Sequence, residues 1–249
     1  MTIWRLELLR LFRTLRWVGL LASYVAFGIL GPVLTRYQEE IFRSVGGGVS
    51  IQAPPPTPEL AMATYIGNAS QIGLIVTVFI AAGSLVFDAR PEWAAFLRTR
   101  ARSIGALVVP KAAVTAAASS VSFALGAIAA WIVTVVLIDD VPATAMIAGI
   151  VAWTLYLAFA VAMVALAAGL ARSAIGAAGI TVVVLLLISI VAEVLPAVRP
   201  WAPSTLVGAI VEMMEGAPAL DYVRAALVTA GLTALAVWGS VRLLARREI

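Results

Sequence analysis

Cysteine and histidine are both absent from this chain of 249 residues. Without cysteine the chain forms no disulfide of its own and offers no thiolate ligand to a metal ion. Without histidine it lacks the side chain that most often exchanges protons near neutral pH and binds transition metals. These absences exclude thiolate and imidazole metal sites and histidine-based proton relays, and we expect no metal site on this chain.

Charged residues are scarce, at 12% of the sequence, whereas 63% of the residues are hydrophobic and the mean hydropathy is +1.05. Soluble domains are only about 45–50% apolar. The composition therefore predicts an all-α integral membrane protein. With about 20–25 residues for each span, the chain has room for about six transmembrane helices, so residues 1–249 are expected to form a single transmembrane domain.

The first sixteen residues carry charges too often to cross a membrane. On a helical wheel, the apolar side chains fall on one narrow arc and the charged side chains lie outside it. This pattern predicts that residues 1–16 form an amphipathic helix lying in the membrane interface. A signal-peptide n-region is the alternative, but no small-residue cleavage site follows residues 24–27.

Long apolar stretches mark the predicted spans. They are expected at residues 17–34, 60–87, 106–138, 144–171, 174–194 and 222–244. Gly31 and Pro32 are expected to disturb the outer end of the first span, and residues 35–58 to form a loop rich in glycine and proline. The sequence Thr57-Pro58-Glu59 predicts the start of the second helix, with a capping hydroxyl and a proline in the first turn.

Two further features concern packing and the outer side. Residues 112–120 are almost all small, which favours close approach of another helix. Between the fifth and sixth spans, the apolar run at residues 206–211 is too short to cross a membrane. It predicts a re-entrant or interfacial helix within an irregular outer segment.

The distribution of basic residues predicts the orientation. If the N-terminus is cytoplasmic and there are six spans, 13 of the 17 lysines and arginines lie on the cytoplasmic side and only 4 lie outside. Cytoplasmic loops of membrane proteins carry such an excess of basic residues. We therefore expect a multi-pass protein of the bacterial plasma (inner) membrane with both termini in the cytoplasm.

Residues 87–111, between the second and third spans, form the interior segment with the densest charge. Pro91 and Glu92 resemble a helix start, and Trp93, Phe96 and Leu97 follow with one-turn spacing. The pattern predicts a short amphipathic cytoplasmic helix that docks on a partner. A solvated loop that merely satisfies the orientation rule is the alternative.

The spans themselves offer little chemistry. Ion-coupled transporters usually place charged side chains within the membrane, whereas the deepest acidic candidate here, Glu193, lies near the outer end of the fifth span. The chain also lacks a phosphate-binding loop of the G-x-x-x-x-G-K-[ST] kind. If the protein transports a substrate, the energy is expected to come from another polypeptide.

The segment from Leu97 to Lys111 resembles the loop of permeases involved in multicopper-enzyme maturation and antibiotic export, which belong to the ABC-2 type. That loop typically reads Leu-Leu-Thr-Arg-Pro-Val-Ser-Arg, with a lysine opening the third span. Thr99, Arg100, Ser103 and Lys111 match this pattern, whereas Ala101 and Ile104 depart from it. The predicted layout of six spans, with a cytoplasmic helix after the second and a broken segment after the fifth, is similar as well.

The resemblance implies a half-transporter that pairs with a second permease copy or a paralogue and binds separate cytoplasmic ATP-binding subunits. No cofactor is expected on this chain, and ATP and Mg are expected on the partner ATPase. The outer segment at residues 196–221 is implied to act as the exterior gate. The residues implied to couple the spans to the ATPase are Glu92, Trp93, Arg98, Thr99 and Arg100.

Four polar residues of the second span are candidates to line a transport path: Asn68, Gln71, Thr77 and Ser84. The alternative is that each bonds across helices or to its own backbone. The function expected overall is that of an exporter permease for an amphipathic or hydrophobic substrate, with no enzymatic activity of its own. A non-transporting assembly or sensor subunit is the main alternative, and a membrane enzyme acting on lipid is a weaker one.

Overall fold

The computed structural model describes residues 3–45, 54–86 and 103–246, and every regular element in these ranges is helical. The predicted docking helix lies outside the described residues. Nine α-helices are described: α1 (Ile3–Arg13), α2 (Arg16–Val45), α3 (Pro58–Asn68), α4 (Leu74–Leu85), α5 (Gly105–Leu137), α6 (Ala143–Leu170), α7 (Ala174–Val194), α8 (Thr205–Met214) and α9 (Val223–Ala245).

Six helical segments of the described chain are long and apolar enough to cross a membrane. They are Arg16–Arg43, Pro58–Leu85, Gly105–Leu137, Ala143–Leu170, Ala174–Val194 and Ala219–Ala245. The second of these joins α3 and α4 through a π-helical turn, Ala69–Gly73. The protein is therefore a multi-pass, all-helical membrane protein, and the six segments are called the first to sixth spans below.

The first span continues well past its predicted end. Helix α2 runs through Pro32 to Val45, so the predicted loop at residues 35–58 does not begin at residue 35. A proline removes one backbone hydrogen bond, but the residues after it support the helix. The hydroxyl of Thr35 donates to the carbonyl of Gly31 at 3.0 Å, and Arg43 pairs with Glu39 one turn away.

The start of the second span follows the prediction from its sequence. Pro58 occupies the first turn of α3, and the hydroxyl of Thr57 accepts a hydrogen bond from the amide of Leu60 at 3.3 Å. The cap satisfies one of the amides that an α-helix leaves without a partner in its first turn. The capping signal in the sequence is therefore confirmed.

A left-handed residue separates α1 from α2. Leu15 has a φ of 54°, which costs a residue with a branched side chain about 1–2 kcal/mol. The turn sends α1 away from the axis of α2 and lets it pack beside α5. The predicted amphipathic segment thus forms a separate helix and does not extend the first span.

The fourth span lies at the centre of the bundle. In its most apolar stretch 56% of the residues are buried, against 22% in the fifth and sixth spans. Its Trp153 stacks on Phe123 of α5 with ring centroids 4.4 Å apart, and Phe123 in turn contacts the rings of Tyr24 and Tyr65. This aromatic cluster joins the first four spans, and such ring pairs stabilise beyond the area they bury.

Helices α2 and α5 are in close contact at Gly28 and Gly126. A methyl group added at Gly28 would collide with the backbone of Gly126, and one added at Gly126 would collide with the carbonyl of Tyr24. This site lies beyond the small-residue run at residues 112–120. Within that run, the hydroxyl of Thr115 lies 3.4 Å from that of Ser84 on α4.

Candidate functional site

A cavity of about 780 Å³ lies between the second, fourth and fifth spans and helix α8. Ligand pockets for small molecules typically occupy about 300–1,000 Å³. Residues from α4 and its preceding π-turn form one wall, and residues from α7 form the opposite wall. Tyr156 of α6, residues of α8 up to Glu212, and Arg199 and Ser204 in the segment before α8 complete the lining. The size and lining suit a small-molecule site.

The polarity of the cavity changes from one end to the other. Because the second and fifth spans run in opposite directions, Gln71 and Glu193 lie at one end and Val78 and Val182 lie at the other. The first end also contains hydroxyls and charges from the segment around α8, whereas the second end contains aliphatic side chains. We call these the polar end and the apolar end. An amphipathic molecule matches such a gradient.

The π-helical turn shapes the wall contributed by the second span. Turns of this kind are rare and occur mostly as single turns within α-helices, frequently at functional sites. Ser70 and Gln71 of the turn line the cavity, while Gly73 lies so close to the ring of Tyr24 that a Cβ atom would overlap it. No feature of the sequence indicated this turn.

Helix α8 covers one side of the cavity and is anchored on the fourth span. The indole Nε1 of Trp153 donates to the carbonyl of Val207 at 2.9 Å. Gly149 leaves room for Ile210, since a Cβ atom at Gly149 would lie 2.8 Å from the Cα atom of Ile210. Helix α8 has ten residues, or about 15 Å, and is too short to cross a membrane, as the sequence predicted.

A carboxylate at the polar end connects the turns on both sides of α8. Glu212 accepts a hydrogen bond from the guanidinium of Arg199 at 2.8 Å and one from the hydroxyl of Tyr222 at 2.5 Å. The hydroxyl of Thr205 also donates to the carbonyl of Arg199. Charge-assisted bonds of this type are stronger than neutral ones. No pattern in the sequence indicated this cluster.

Glu193 lies on the opposite wall of the cavity, near the end of α7. It is exposed, and within the described ranges it forms no ion pair. Among the described residues, the charged side chains that line the cavity are Glu193, Glu212 and Arg199. Two carboxylates face one guanidinium, so the lining carries a net negative charge.

Of the four polar candidates of the second span, the structure brings Gln71 to the cavity. The other three bond elsewhere: Asn68 donates to the carbonyl of Thr64 at 2.9 Å, Thr77 shares a hydrogen bond of 3.0 Å with the hydroxyl of Tyr24, and Ser84 donates to the carbonyl of Ala81 at 2.8 Å. The alternative, that each side chain bonds across helices or to its own backbone, describes all three.

A second charged contact lies at the opposite end of the bundle. The ammonium group of Lys111 lies 2.5 Å from a carboxylate oxygen of Glu7, with side-chain exposures of only 3% and 13%. Arg10 and Arg16 lie close enough to act on Lys111 electrostatically. The sequence carried a signal for this pair, because Glu7 is the one acidic residue among the first sixteen and Lys111 is the one lysine of the chain.

The five residues that the resemblance implies for coupling lie outside the described residues. They are Glu92, Trp93, Arg98, Thr99 and Arg100. Their position along the chain nevertheless places them between two spans that the structure describes, α4 and α5. They stay predictions.

The chain matches no protein-family model and no curated protein. Its function is therefore inferred from its own sequence and geometry.

Proposed function

We propose that this chain is the permease subunit of an ATP-binding-cassette exporter. It moves an amphipathic or hydrophobic substrate out of a bacterial cytoplasm or inner leaflet. Separate cytoplasmic subunits bind ATP and Mg and supply the energy. The observation that carries the proposal is the cavity of about 780 Å³ between the second and fifth spans, with its polar and apolar ends.

The positions of the charged side chains bear on the source of energy. An ion-driven transporter needs ionisable groups within the membrane to bind the coupling ion. In the described spans, the charged side chains of the cavity gather at its polar end, and Lys111 is paired with Glu7 near the start of α5. This arrangement favours an external source of energy. The resemblance of residues 97–111 to the loop of ABC-2 type permeases supports an ATPase as that source.

The orientation proposed for the exporter follows from the basic residues. With 13 of 17 lysines and arginines on one side, that side is proposed to be cytoplasmic and to contain both termini. The polar end of the cavity then faces the exterior. Helix α8 and its flanking turns form the proposed exterior gate, with Glu212 holding the closed arrangement.

Helix α1 is proposed to lie in the cytoplasmic interface. Trp4, Leu8 and Phe12 are each about half exposed on its surface, whereas Leu11 is buried against the bundle. Exposed apolar side chains of this size are costly in water and favourable in the headgroup region. The Glu7–Lys111 pair then fixes the depth at which α1 meets the third span.

The proposal is tested by purifying the chain from its native membranes in mild detergent and identifying the proteins that accompany it. We expect a soluble ATPase with a phosphate-binding loop in roughly equal amount. In a reconstituted complex, the double variant Trp93→Ala/Arg98→Ala is expected to lose ATPase binding and transport. Arg172→Ala, in another predicted cytoplasmic turn, is the matched control and is expected to retain both.

Two results would contradict the exporter. Recovery of the chain with a partner that is not an ATPase would favour the assembly or sensor subunit. Unchanged ATPase binding and transport in the Trp93→Ala/Arg98→Ala variant would remove the proposed coupling role of residues 87–111.

A further inference from the structure

The cavity also indicates which substrates it selects. We infer that it binds amphipathic organic cations, with the cationic group at Glu193 and the apolar body between the second and fifth spans. The inference uses the proposed exporter function to explain why such a molecule is bound, but the binding itself is tested without an ATPase.

The charged side chains at the polar end of the cavity determine where the cationic group of the ligand binds. Among the described residues of the lining there is one guanidinium, that of Arg199, and it lies 2.8 Å from Glu212. Glu212 is thereby neutralised, and the hydroxyl of Tyr222 occupies its second oxygen. Glu193 has no such partner in the described part of the chain. The negative charge that remains in the cavity is therefore that of Glu193, which attracts a cation and repels an anion.

The apolar body of the ligand is accommodated by the opposite end. Val78, Val182 and Leu185 lie there, and the buried ring of Tyr156 forms part of the wall. Aliphatic walls accept an apolar group without requiring specific hydrogen bonds. An aromatic face additionally attracts a cation that passes over it. The cavity thus selects weakly for the shape of the ligand and more strongly for a positive charge on it.

Glu193 also has a suitable position on its helix. It lies within the last turn of α7, which ends at Val194. Near the end of the span, the carboxylate is within reach of water or headgroups. A charged ligand group can therefore reach Glu193 without entering the apolar end. The carboxylate recognises the head of the ligand while the body extends along the cavity.

The test compares two ions of the same shape and opposite charge, tetraphenylphosphonium and tetraphenylborate. The full-length chain is placed in phosphatidylcholine nanodiscs, and saturable binding is measured against nanodiscs without protein. We expect saturable binding of tetraphenylphosphonium alone. Glu193→Gln is expected to weaken that binding by about five- to tenfold, because it removes the charge and keeps the shape.

Two further variants separate charge from volume. Glu215 is the exposed C-cap residue of α8 and does not line the cavity. We expect Glu215→Gln to change the affinity by less than about twofold. Val182→Trp fills the apolar end, and it is expected to reduce binding of the cation while Glu193 stays intact. Together these results place the cation in this cavity with its charge at Glu193.

Equal saturable binding of the two ions, a preference for tetraphenylborate, or unchanged affinity in Glu193→Gln would overturn the inference. These outcomes are independent of the ATPase. If the chain co-purifies with an ATPase but does not bind tetraphenylphosphonium, the exporter stands and the cation site is wrong. If it binds the cation but has no ATPase partner, the site stands and the exporter is wrong.

Discussion

At the scale of single residues, the contact between Glu7 and Lys111 holds α1 on the bundle. Both side chains are largely buried, so each needs the other to offset the loss of hydration. Removing one member of a buried pair costs about 3–5 kcal/mol, whereas replacing both by apolar residues is often nearly neutral. The pair is thus more important for how α1 is positioned than for overall stability.

We predict that Glu7→Gln lowers the thermal midpoint in mild detergent, with a cost towards the lower end of about 3–5 kcal/mol because Glu7 retains some exposure. The double variant Glu7→Leu/Lys111→Met is expected to regain much of that loss. Glu39→Gln breaks an exposed pair in α2 and serves as the control, with a change below about 1 kcal/mol. Equal midpoints for Glu7→Gln and Glu39→Gln would contradict the role given to the buried pair.

The polar residues of the second span show how far sequence analysis reaches at this scale. Asn68, Gln71, Thr77 and Ser84 are all polar, and the sequence alone did not show which face of the second span meets a cavity. Of the four, Gln71 reaches the cavity, from within the π-helical turn. Hydrophobic periodicity assumes a constant 100° per residue, so it cannot locate such a turn.

At the scale of helices, the docking of α8 on the fourth span depends on Gly149. The apolar run at residues 206–211 predicted a short helix, but its partner was not evident from the sequence. Nothing in a sequence specifies which glycine faces which helix when the spans are almost uniformly apolar. The structure supplies the answer through Ile210 at Gly149 and through the indole of Trp153 at Val207.

We predict that Gly149→Ala displaces α8, because the added methyl group overlaps Ile210. Since the chain has no native cysteine, a single cysteine at Ala209 reports the change. This buried position is expected to react faster with a maleimide in the Gly149→Ala background. Gly179→Ala is the matched control, because a Cβ atom there meets nothing within 4 Å and helix propensity improves. Similar reactivity in both backgrounds would indicate that α8 does not depend on Gly149.

At the scale of the whole molecule, composition and apolar runs were sufficient to predict six spans and an all-helical fold. The approximate order of the elements also followed, because each span contains its own apolar signal. The length of α2 could not be predicted from the sequence. Gly31 and Pro32 resemble a helix end, but the helix continues to Val45. The cavity could not be predicted from the sequence either, because it depends on how spans that are distant in the sequence pack against each other.

The proposed orientation gives a prediction for the complete chain in cells. A single cysteine at Asp140 is expected to react with a membrane-impermeant maleimide in intact cells, because that turn carries no lysine or arginine and is therefore proposed to lie outside. A cysteine at Ser173, beside Arg172, is expected to react only after the membrane is permeabilised. Both positions are exposed turn residues, so their accessibility is comparable. Labelling of both, or of Ser173 alone, in intact cells would contradict the orientation.

The π-helical turn of the second span has a genetic consequence. A turn that bonds from residue i to i+5 contains one residue more than an α-helical turn, so α3 and α4 are offset in phase by about 100°. Deleting a single codon within Ala69–Gly73 would restore a continuous α-helix and rotate either α3 or α4 by that angle. The wall formed by Leu74, Ile75 and Val78 would then no longer be in register with α3. The cavity is thus more vulnerable to the loss of one codon than to most single substitutions along its lining.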